Sequence, residues 1–217
     1  MLPLDRPLLI FDLETTGLGI GEDRIVEIAY EKIMPGGEVQ ASVERINPCM
    51  PIPPVASSVH GIYDDDVKDA PSFAKRSYEL WSVFDGIDVG GFNVLGFDLP
   101  FLRAEFVTVG KNFDFSSRKV LDAKILYHKM QPRDGFAPRN LSAAYKLYCG
   151  KKHENAHSGA GDVRVTVEIL ENILERYPDL RNWDTIMELN GQKKLIDSMM
   201  NEHAPRIESL GSTGTLF

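Results

Sequence analysis

The feature that most restricts the fold of this chain is an apolar run that ends in two carboxylates one residue apart. Residues 8–11 have the composition of a buried strand, and Asp12 and Glu14 follow before a turn at residues 15–17. Side chains at positions i and i+2 of a strand share a face, so the two acids project to the same side and repel each other. Such a pair either binds a hard divalent cation such as Mg²⁺ or Mn²⁺ or is simply solvated at the end of the strand. The choice depends on partners elsewhere in the chain.

The composition is that of a globular enzyme. The chain has 217 residues, of which 43% are hydrophobic and 26% are charged, and this balance excludes a wholly disordered chain. No apolar run approaches the roughly 20 residues that span a bilayer, and the N-terminus lacks the pattern of a signal peptide. Cys49 and Cys149 form neither a C-x-x-C pair nor a disulfide framework. We therefore expect a cytoplasmic protein with two free thiols and no membrane partner.

The charge distribution leaves two interpretations open. A net charge of −8 is not typical of nucleic-acid-binding proteins, which usually have a basic surface. The window from residue 111 to residue 153 nevertheless carries ten Lys or Arg residues and only three Asp. These cations are either an assortment of solvated helix faces or a local basic surface that guides a polyanion towards an acidic centre.

The order of strands and helices predicts an α/β domain. Residues 24–34 and 38–46 are β-rich, and Pro35-Gly36-Gly37 between them predicts a hairpin, so the chain begins with an antiparallel ribbon of three strands. Helices are predicted over 71–86, 97–110, 139–150 and 161–177, with a strand over 87–92 and a segment over 119–130 that begins as a strand and becomes helical. Strands followed by alternating strands and helices imply a mixed sheet flanked by helices.

The remaining residues form an extension of the predicted domain. We place the domain over residues 1–177 and a C-terminal extension over residues 178–217. One or two helices are predicted within 182–203, and the polar, Gly- and Ser-containing end of the chain is expected to be mobile.

Two further elements carry residues that could join the first acids. Asp98 follows a predicted strand and a turn at the start of a helix, where an acid is also favoured by the helix dipole by about 0.3–1 kcal/mol. His157 and Asp162 are separated by about 140° on a continuous helix. They converge only if His157 precedes the helix while Asp162 lies in its first turns, and the glycines at 159 and 161 permit such an irregular entry.

Taken together, these residues resemble the DEDDh family of 3′→5′ exonucleases. The first motif is "FDLETTGL", the second is "FNVLGFDLPFL", and the third is "HSGAGD", with the family's H-x-x-x-x-D spacing. Between the first two motifs, "VHGIYDDDV" is similar to the family's H-G-I segment. The resemblance covers about residues 7–177. It is greatest to the proofreading epsilon subunits of bacterial replicative polymerases, with RNase T and oligoribonuclease as more distant relatives.

The resemblance implies a ribonuclease H-like fold and a site that contains two metal ions. Asp12, Glu14, Asp98 and Asp162 would hold two divalent cations, Mg²⁺ or Mn²⁺, which bracket the scissile phosphate. Asp12 would be shared by both ions, and Asp98 would act partly through metal-bound water. His157 would be the general base that takes a proton from the attacking water, a role that an imidazole suits near neutral pH. The product would be a nucleoside 5′-monophosphate.

The resemblance also implies contacts with the substrate. The expected contact residues are Thr15, Thr16, Gly17, Leu18, His60, Asn93 and Phe97. Backbone groups of residues 15–17 would meet the terminal nucleotide, and Leu18 would pack against its base in a sequence-tolerant way. For His60, Asn93 and Phe97, the structural alternatives are loop anchoring, turn capping and core packing.

The expected partner is a single-stranded nucleic-acid 3′ end, DNA rather than RNA. A 3′→5′ exoribonuclease is the alternative, because the sequence does not show how the pocket would receive a 2′-OH. Proofreading, repair and RNA turnover all remain open as roles. Proofreading subunits contact their polymerase through a C-terminal tail, and the final "GTLF" faintly resembles a sliding-clamp peptide, although a frayed terminus is the default explanation.

Two other classes of protein compete with the exonuclease. The first motif also resembles the D-x-D-x-T strand end of haloacid-dehalogenase phosphatases, with Glu14 in place of the second Asp. That hypothesis requires a covalent aspartyl-phosphate and leaves His157 without a role. The other competitor is a non-catalytic nucleic-acid-binding module, which the complete set of four acids and one histidine disfavours.

Overall fold

A five-stranded mixed sheet forms the centre of the molecule. The computed structural model describes residues 2–115, 117–131, 138–154 and 156–191. The strands are β1 (Leu8–Thr15), β2 (Ile25–Ile33), β3 (Val39–Arg45), β4 (Asp88–Gly91) and β5 (Val120–Asp122). They lie in the order β3-β2-β1-β4-β5. β1 is antiparallel to β2 and β2 to β3, whereas β4 is parallel to both β1 and β5. The prediction of a mixed sheet that begins with an antiparallel three-strand ribbon is confirmed.

Helices cover both faces of this sheet. In the described ranges they are α1 (Pro54–His60), α2 (Asp64–Val67), α3 (Phe73–Phe84), α4 (Asp98–Thr108), α5 (Ala123–Met130), α6 (Leu141–Cys149), α7 (Gly159–Arg176) and α8 (Trp183–Asn190). None of the helices in this part of the chain is long and apolar enough to cross a bilayer.

The alternation of side chains along β1 divides the core into two layers. Leu8 and Ile10 are buried in the layer formed with α5, α6, α7 and α8. Leu9, Phe11 and Leu13 are buried in the opposite layer, with α3 and α4. Because strand side chains repeat with a period of two, Asp12 and Glu14 continue the face of Leu8 and Ile10. The sequence of β1 therefore directs both acids towards α7.

The switch from strand to helix that the sequence predicts within 119–130 occurs at Asp122. Its buried side chain accepts hydrogen bonds from the backbone N–H groups of Lys124 (3.0 Å) and Ile125 (3.2 Å), so it caps α5. α1 and α2 were not predicted, because the prolines before residue 55 suggest a loop. Pro54 instead occupies the first turn of α1, where a missing N–H costs nothing, and Gly61 ends that helix in a left-handed conformation.

The described part of the C-terminal extension packs against the domain. The indole N–H of Trp183 donates to the carbonyl of Pro3 (2.9 Å), and the side-chain amide of Asn190 donates to the carbonyl of Val120 (2.7 Å). Trp183 and Ile186 are buried in the same layer as α7. The boundary at residue 177 stays a prediction. The predicted helix beyond residue 191 and the predicted mobile tail lie outside the described residues.

Candidate active site

Three carboxylates converge at the carboxyl end of β1. Asp12, Glu14 and Asp162 each offer a ligand oxygen, and these atoms all lie within 4.8 Å of one another. Asp162 lies in the first turn of α7. The start of that helix approaches β2 closely at Gly159, where a Cβ atom would lie 2.5 Å from Oε1 of Glu27. Glycine at this position therefore allows Asp162 to reach the two acids of β1.

Asp98 is held beside this triad by the backbone of β1. It is buried at the start of α4, and its Oδ1 accepts a hydrogen bond from the N–H of Leu13 (3.1 Å). The loop before it is fixed by Asp122, which accepts from the N–H groups of Asn93 (3.2 Å) and Leu95 (3.1 Å). Asp98 does not belong to the group of acids whose ligand oxygens lie within 4.8 Å of one another. A direct role of Asp98 in binding metal therefore stays a prediction.

The electrostatics of the four acids fit a divalent cation. Burial, followed by the charges of Asp162 and Glu27, raises the pKa of Glu14 to about 8. Burial raises the pKa of Asp98 to about 7. The pKa of Asp12 is raised well above its usual value by burial and then by the charge of Asp98, and burial also raises the pKa of Asp162. Hard oxygen ligands that repel one another in a partly dry site match the donor set that Mg²⁺ or Mn²⁺ prefers.

A fifth acid, Glu27, lies next to the triad and was missed in the sequence. It pairs with Glu14 in the register of β1 and β2, and it is buried. Nε of Arg45 on β3 lies 3.1 Å from Oε2 of Glu27. Arg45 also opposes the rise in the pKa of Glu14. Glu27 is one of several acids in a β-rich segment, so only the strand register reveals that it faces the site.

His157 precedes α7, as the spacing argument requires. Its backbone has a positive φ of 64° and it is exposed, while the N–H of Asp162 donates to the carbonyl of Ser158 (2.8 Å). The positive charge of a protonated His157 would lower the pKa of Asp162, in opposition to burial. The histidine therefore lies near the carboxylates, and its role as a base stays a prediction.

A second histidine, His153, also contacts the carboxylate of Asp162, and the sequence did not predict this contact. Its Nε2 lies 3.0 Å from Oδ1 of Asp162, and its side chain is only 3% exposed. No helical or strand spacing rule links residues 153 and 162, because α7 begins only at Gly159. The contact depends on how α6 returns to α7.

The predicted substrate residues of the first motif line one cleft beside the triad. This cleft has a volume of about 510 Å³. Its walls include Glu14, Thr15, Thr16, Gly17, Leu18, His60 and Phe97. Leu18 is 83% exposed at this cleft, so it is available for contact with a base.

The loop that presents Leu18 is closed by Asp23. One carboxylate oxygen of Asp23 accepts from the hydroxyl of Thr16 (2.8 Å), and the other accepts from the N–H of Gly19 (2.8 Å). A Cβ atom on Gly17 would lie 2.4 Å from this carboxylate. The T-T-G sequence thus builds a compact turn against Asp23 and leaves the leucine outside it.

His60 and Asn93 have contacts of a structural kind. Nδ1 of His60 accepts from the N–H of Ile62 (3.0 Å), and burial lowers the pKa of the ring. Asn93 has a positive φ of 71° in the turn after β4, and its side-chain oxygen accepts from Nζ of Lys124 (3.2 Å). Asn93 is not among the residues that line the cleft. Contact with substrate stays a prediction for both residues.

A second cleft, of about 790 Å³, contains part of the basic window. Its lining includes Lys146, Lys151, Lys152 and His153. Two other cations of the window are engaged in the fold: Lys119 pairs with Asp5 (2.9 Å), and Arg118 is buried and donates to the carbonyl of Phe84. Because His153 contacts Asp162, this basic cleft adjoins the acidic centre.

Comparison with known families decides the assignment. The family model described as Exonuclease (RNase T) matches residues 9–170. The chain belongs to this exonuclease family. The prediction of a DEDDh-type exonuclease is confirmed at the level of the family, which is divalent-metal dependent. This assignment favours an exonuclease domain over a haloacid-dehalogenase-like phosphatase.

Curated relatives include polymerase subunits. The chain is 34% identical over 177 residues to a DNA polymerase III subunit epsilon-like protein of Rhodobacter capsulatus, an alignment that covers 79% of the chain and 24% of the relative. It is 29% identical to the DNA polymerase III subunit epsilon of Treponema pallidum, with 77% and 76% covered. The 3′-5′ exonuclease DinG of Staphylococcus saprophyticus is 25% identical, with 83% and 19% covered. The chain thus spans about a quarter or less of two of these relatives.

Solved structures share the fold. E. coli Exonuclease I in complex with a dT13 oligonucleotide superposes with a TM-score of 0.70 at 20% identity and covers 81% of this chain and 42% of that protein. Exonuclease X in complex with 5′ overhanging duplex DNA superposes with a TM-score of 0.63 at 21% identity, with 84% and 98% covered.

Proposed function

We propose that this chain is a divalent-metal-dependent 3′→5′ exonuclease that removes nucleotides from single-stranded DNA as nucleoside 5′-monophosphates. The observation that carries the proposal is the convergence of Asp12, Glu14 and Asp162 within 4.8 Å. Beside them lies a cleft that is large enough for a nucleotide and is lined by the T-T-G-L turn.

Each part of the site has a proposed task. Asp12, Glu14 and Asp162 would hold the cations, with Asp98 assisting from the start of α4. Two bound Mg²⁺ or Mn²⁺ ions would supply charge stabilisation for the entering and leaving oxygens. His157 would accept a proton from the attacking water at a ring nitrogen. The turn of residues 15–17 would orient the terminal nucleotide, while Leu18 packs against its base.

DNA is favoured as the substrate over RNA by the character of the relatives. Two of them are named as polymerase III epsilon or epsilon-like subunits, and the solved Exonuclease I holds a DNA oligonucleotide. We extend this to a role in DNA proofreading or repair, and to contact with a polymerase or a sliding clamp through the C-terminal tail. The cytoplasmic location expected from the sequence stays a prediction.

A digestion panel tests the proposal. Single-stranded DNA and RNA of matched sequence, labelled at the 5′ end, are incubated with Mg²⁺, with Mn²⁺ or with a chelator. We expect a ladder that shortens from the 3′ end of the DNA, with slower loss of RNA and no loss under chelation. Glu14→Gln should abolish shortening, whereas Asp65→Asn, a matched change at a highly exposed acid, should not. Equal digestion by wild-type protein and Glu14→Gln would contradict the proposal.

A further inference from the structure

His153 is a buried imidazole whose two nitrogens each face a polar side chain. Nε2 lies 3.0 Å from Oδ1 of Asp162, and Nδ1 lies 3.3 Å from the hydroxyl of Ser142. The pair with Asp162 is an electrostatic contact at hydrogen-bond distance rather than a well-aligned hydrogen bond. Neither Nε2 nor Oδ1 has a hydrogen-bond partner elsewhere in the described part of the chain. The contact between them is therefore the interaction that the fold provides for both atoms.

The position of the ring is set by α6. Gly150 ends this helix in a left-handed conformation, which turns the chain back towards α7. Two residues of α6 then hold the imidazole: Ser142 faces Nδ1, and the ring of Tyr145 meets it edge-on with a centroid distance of 6.0 Å. These two contacts restrict rotation of the imidazole away from Asp162.

The contact with Ser142 bears on which ring nitrogen of His153 carries the proton. When the Ser142 hydroxyl donates to Nδ1, the neutral imidazole carries its proton on Nε2, which faces the carboxylate. A donor is therefore presented to one oxygen of Asp162. The arrangement differs from that of His157, which is exposed and precedes the helix.

We propose that His153 is a positioning residue for the metal centre, which holds the carboxylate of Asp162 in the orientation in which it meets Asp12 and Glu14. The inference rests on the proposed function, because it takes Asp162 as a metal ligand. Partners of ligating groups commonly tune metal affinity, and their loss costs about 10–100-fold. His153 would thus act on metal binding and not on the substrate directly.

Binding of Mn²⁺ to the protein without nucleic acid tests this role. The free Mn²⁺ signal in electron paramagnetic resonance gives the affinity for wild-type protein and for His153→Ala, His153→Gln and Asp65→Asn. We expect His153→Ala to weaken binding by about 10–100-fold. His153→Gln, which retains a donor, should recover part of the loss. Asp65→Asn, a change at a highly exposed acid, should bind Mn²⁺ as wild type does.

The variant Ser142→Ala makes the test independent of whether His153→Ala folds. It removes the partner of Nδ1 while leaving the imidazole in place, so it should weaken Mn²⁺ binding in the same direction by a smaller factor. Unfolding curves of the metal-free variants establish that each is folded.

Two results would overturn the inference. Mn²⁺ affinity that is unchanged in His153→Ala or, if that variant does not fold, in His153→Gln and Ser142→Ala would reduce His153 to a packing residue. Tighter binding would make it a competitor of the metal for Asp162. If wild-type protein cleaves DNA and binds Mn²⁺ while either result is obtained, only the role of His153 is lost. If wild-type protein neither binds Mn²⁺ nor cleaves, the proposed function falls with it.

Discussion

Replacing Gly159 by alanine tests how closely α7 must approach the sheet. A Cβ atom at this position would lie 2.9 Å from Cβ of Ala29 and 2.5 Å from Oε1 of Glu27. Carbon atoms pack at about 3.5–4.0 Å, so relief of the contact with Ala29 requires a displacement of about 0.6 Å or more. The Glu27 side chain has little room to yield, because it is buried and paired with Arg45.

The displacement is expected to lower both stability and activity. Overpacking of this kind destabilises a protein by about 1–3 kcal/mol. Since Asp162 lies three residues further along α7, the same shift would separate it from Asp12 and Glu14. A misplacement of about 1 Å in a catalytic site costs about 10²-fold, so we expect kcat of Gly159→Ala to fall by about 10–100-fold.

Urea unfolding and single-stranded DNA hydrolysis measure the two effects. Gly36→Ala is the matched control, because a Cβ atom at Gly36 meets nothing within 4 Å. Its free energy of unfolding should stay within about 0.5 kcal/mol of wild type. Wild-type stability together with wild-type kcat in Gly159→Ala would refute the argument from close packing.

Three further predictions follow from the site. The raised pKa values of Glu14, to about 8, and of Asp98, to about 7, mean that the folded state binds more protons than the unfolded state between about pH 4 and 8. Thermal melts of metal-free protein should therefore show that stability falls as pH rises through this range. Mn²⁺ should raise Tm more at pH 8 than at pH 6. A rise in metal-free stability with pH would contradict the raised pKa values of the two acids. His157→Ala should lower kcat by about 10²–10⁴-fold with little change in KM, and steady-state kinetics that show unchanged kcat would exclude it as the base. The double change Lys146→Ala and Lys152→Ala should raise KM for a long oligonucleotide and make this KM less dependent on salt. Hydrolysis of a dinucleotide should stay unchanged. Equal effects on both substrates would rule out the basic cleft as a path for the strand.

The sequence was sufficient to predict those parts of the fold and site that depend on short-range geometry. The period of two along β1 places Asp12 and Glu14 on one face, and the glycines after His157 allow it to precede the helix that carries Asp162. These arguments need only local rules. The antiparallel ribbon follows in the same way from the turn signals between its strands.

The sequence was insufficient where the register of the sheet or the path of a loop decides. Glu27 faces the site because of its pairing with Glu14, and His153 reaches Asp162 because α6 ends at Gly150. The cations of the basic window (residues 111–153) also have different environments that only the three-dimensional structure shows. Arg118 is buried in the core, whereas Lys152 lines a cleft. A charge count along the chain does not distinguish these two positions.

The direction of hydrolysis and the bond that is cleaved test the central claim most directly. A single-stranded DNA with different nucleotides at its two ends is digested with Mn²⁺ in water enriched in ¹⁸O, and the first products are identified by mass spectrometry. The account predicts that the 3′-terminal nucleotide is released first, as a 5′-monophosphate with ¹⁸O in its phosphate, and that Asp12→Asn releases none. Release of the 5′-terminal nucleotide first, or of 3′-monophosphates, would contradict it.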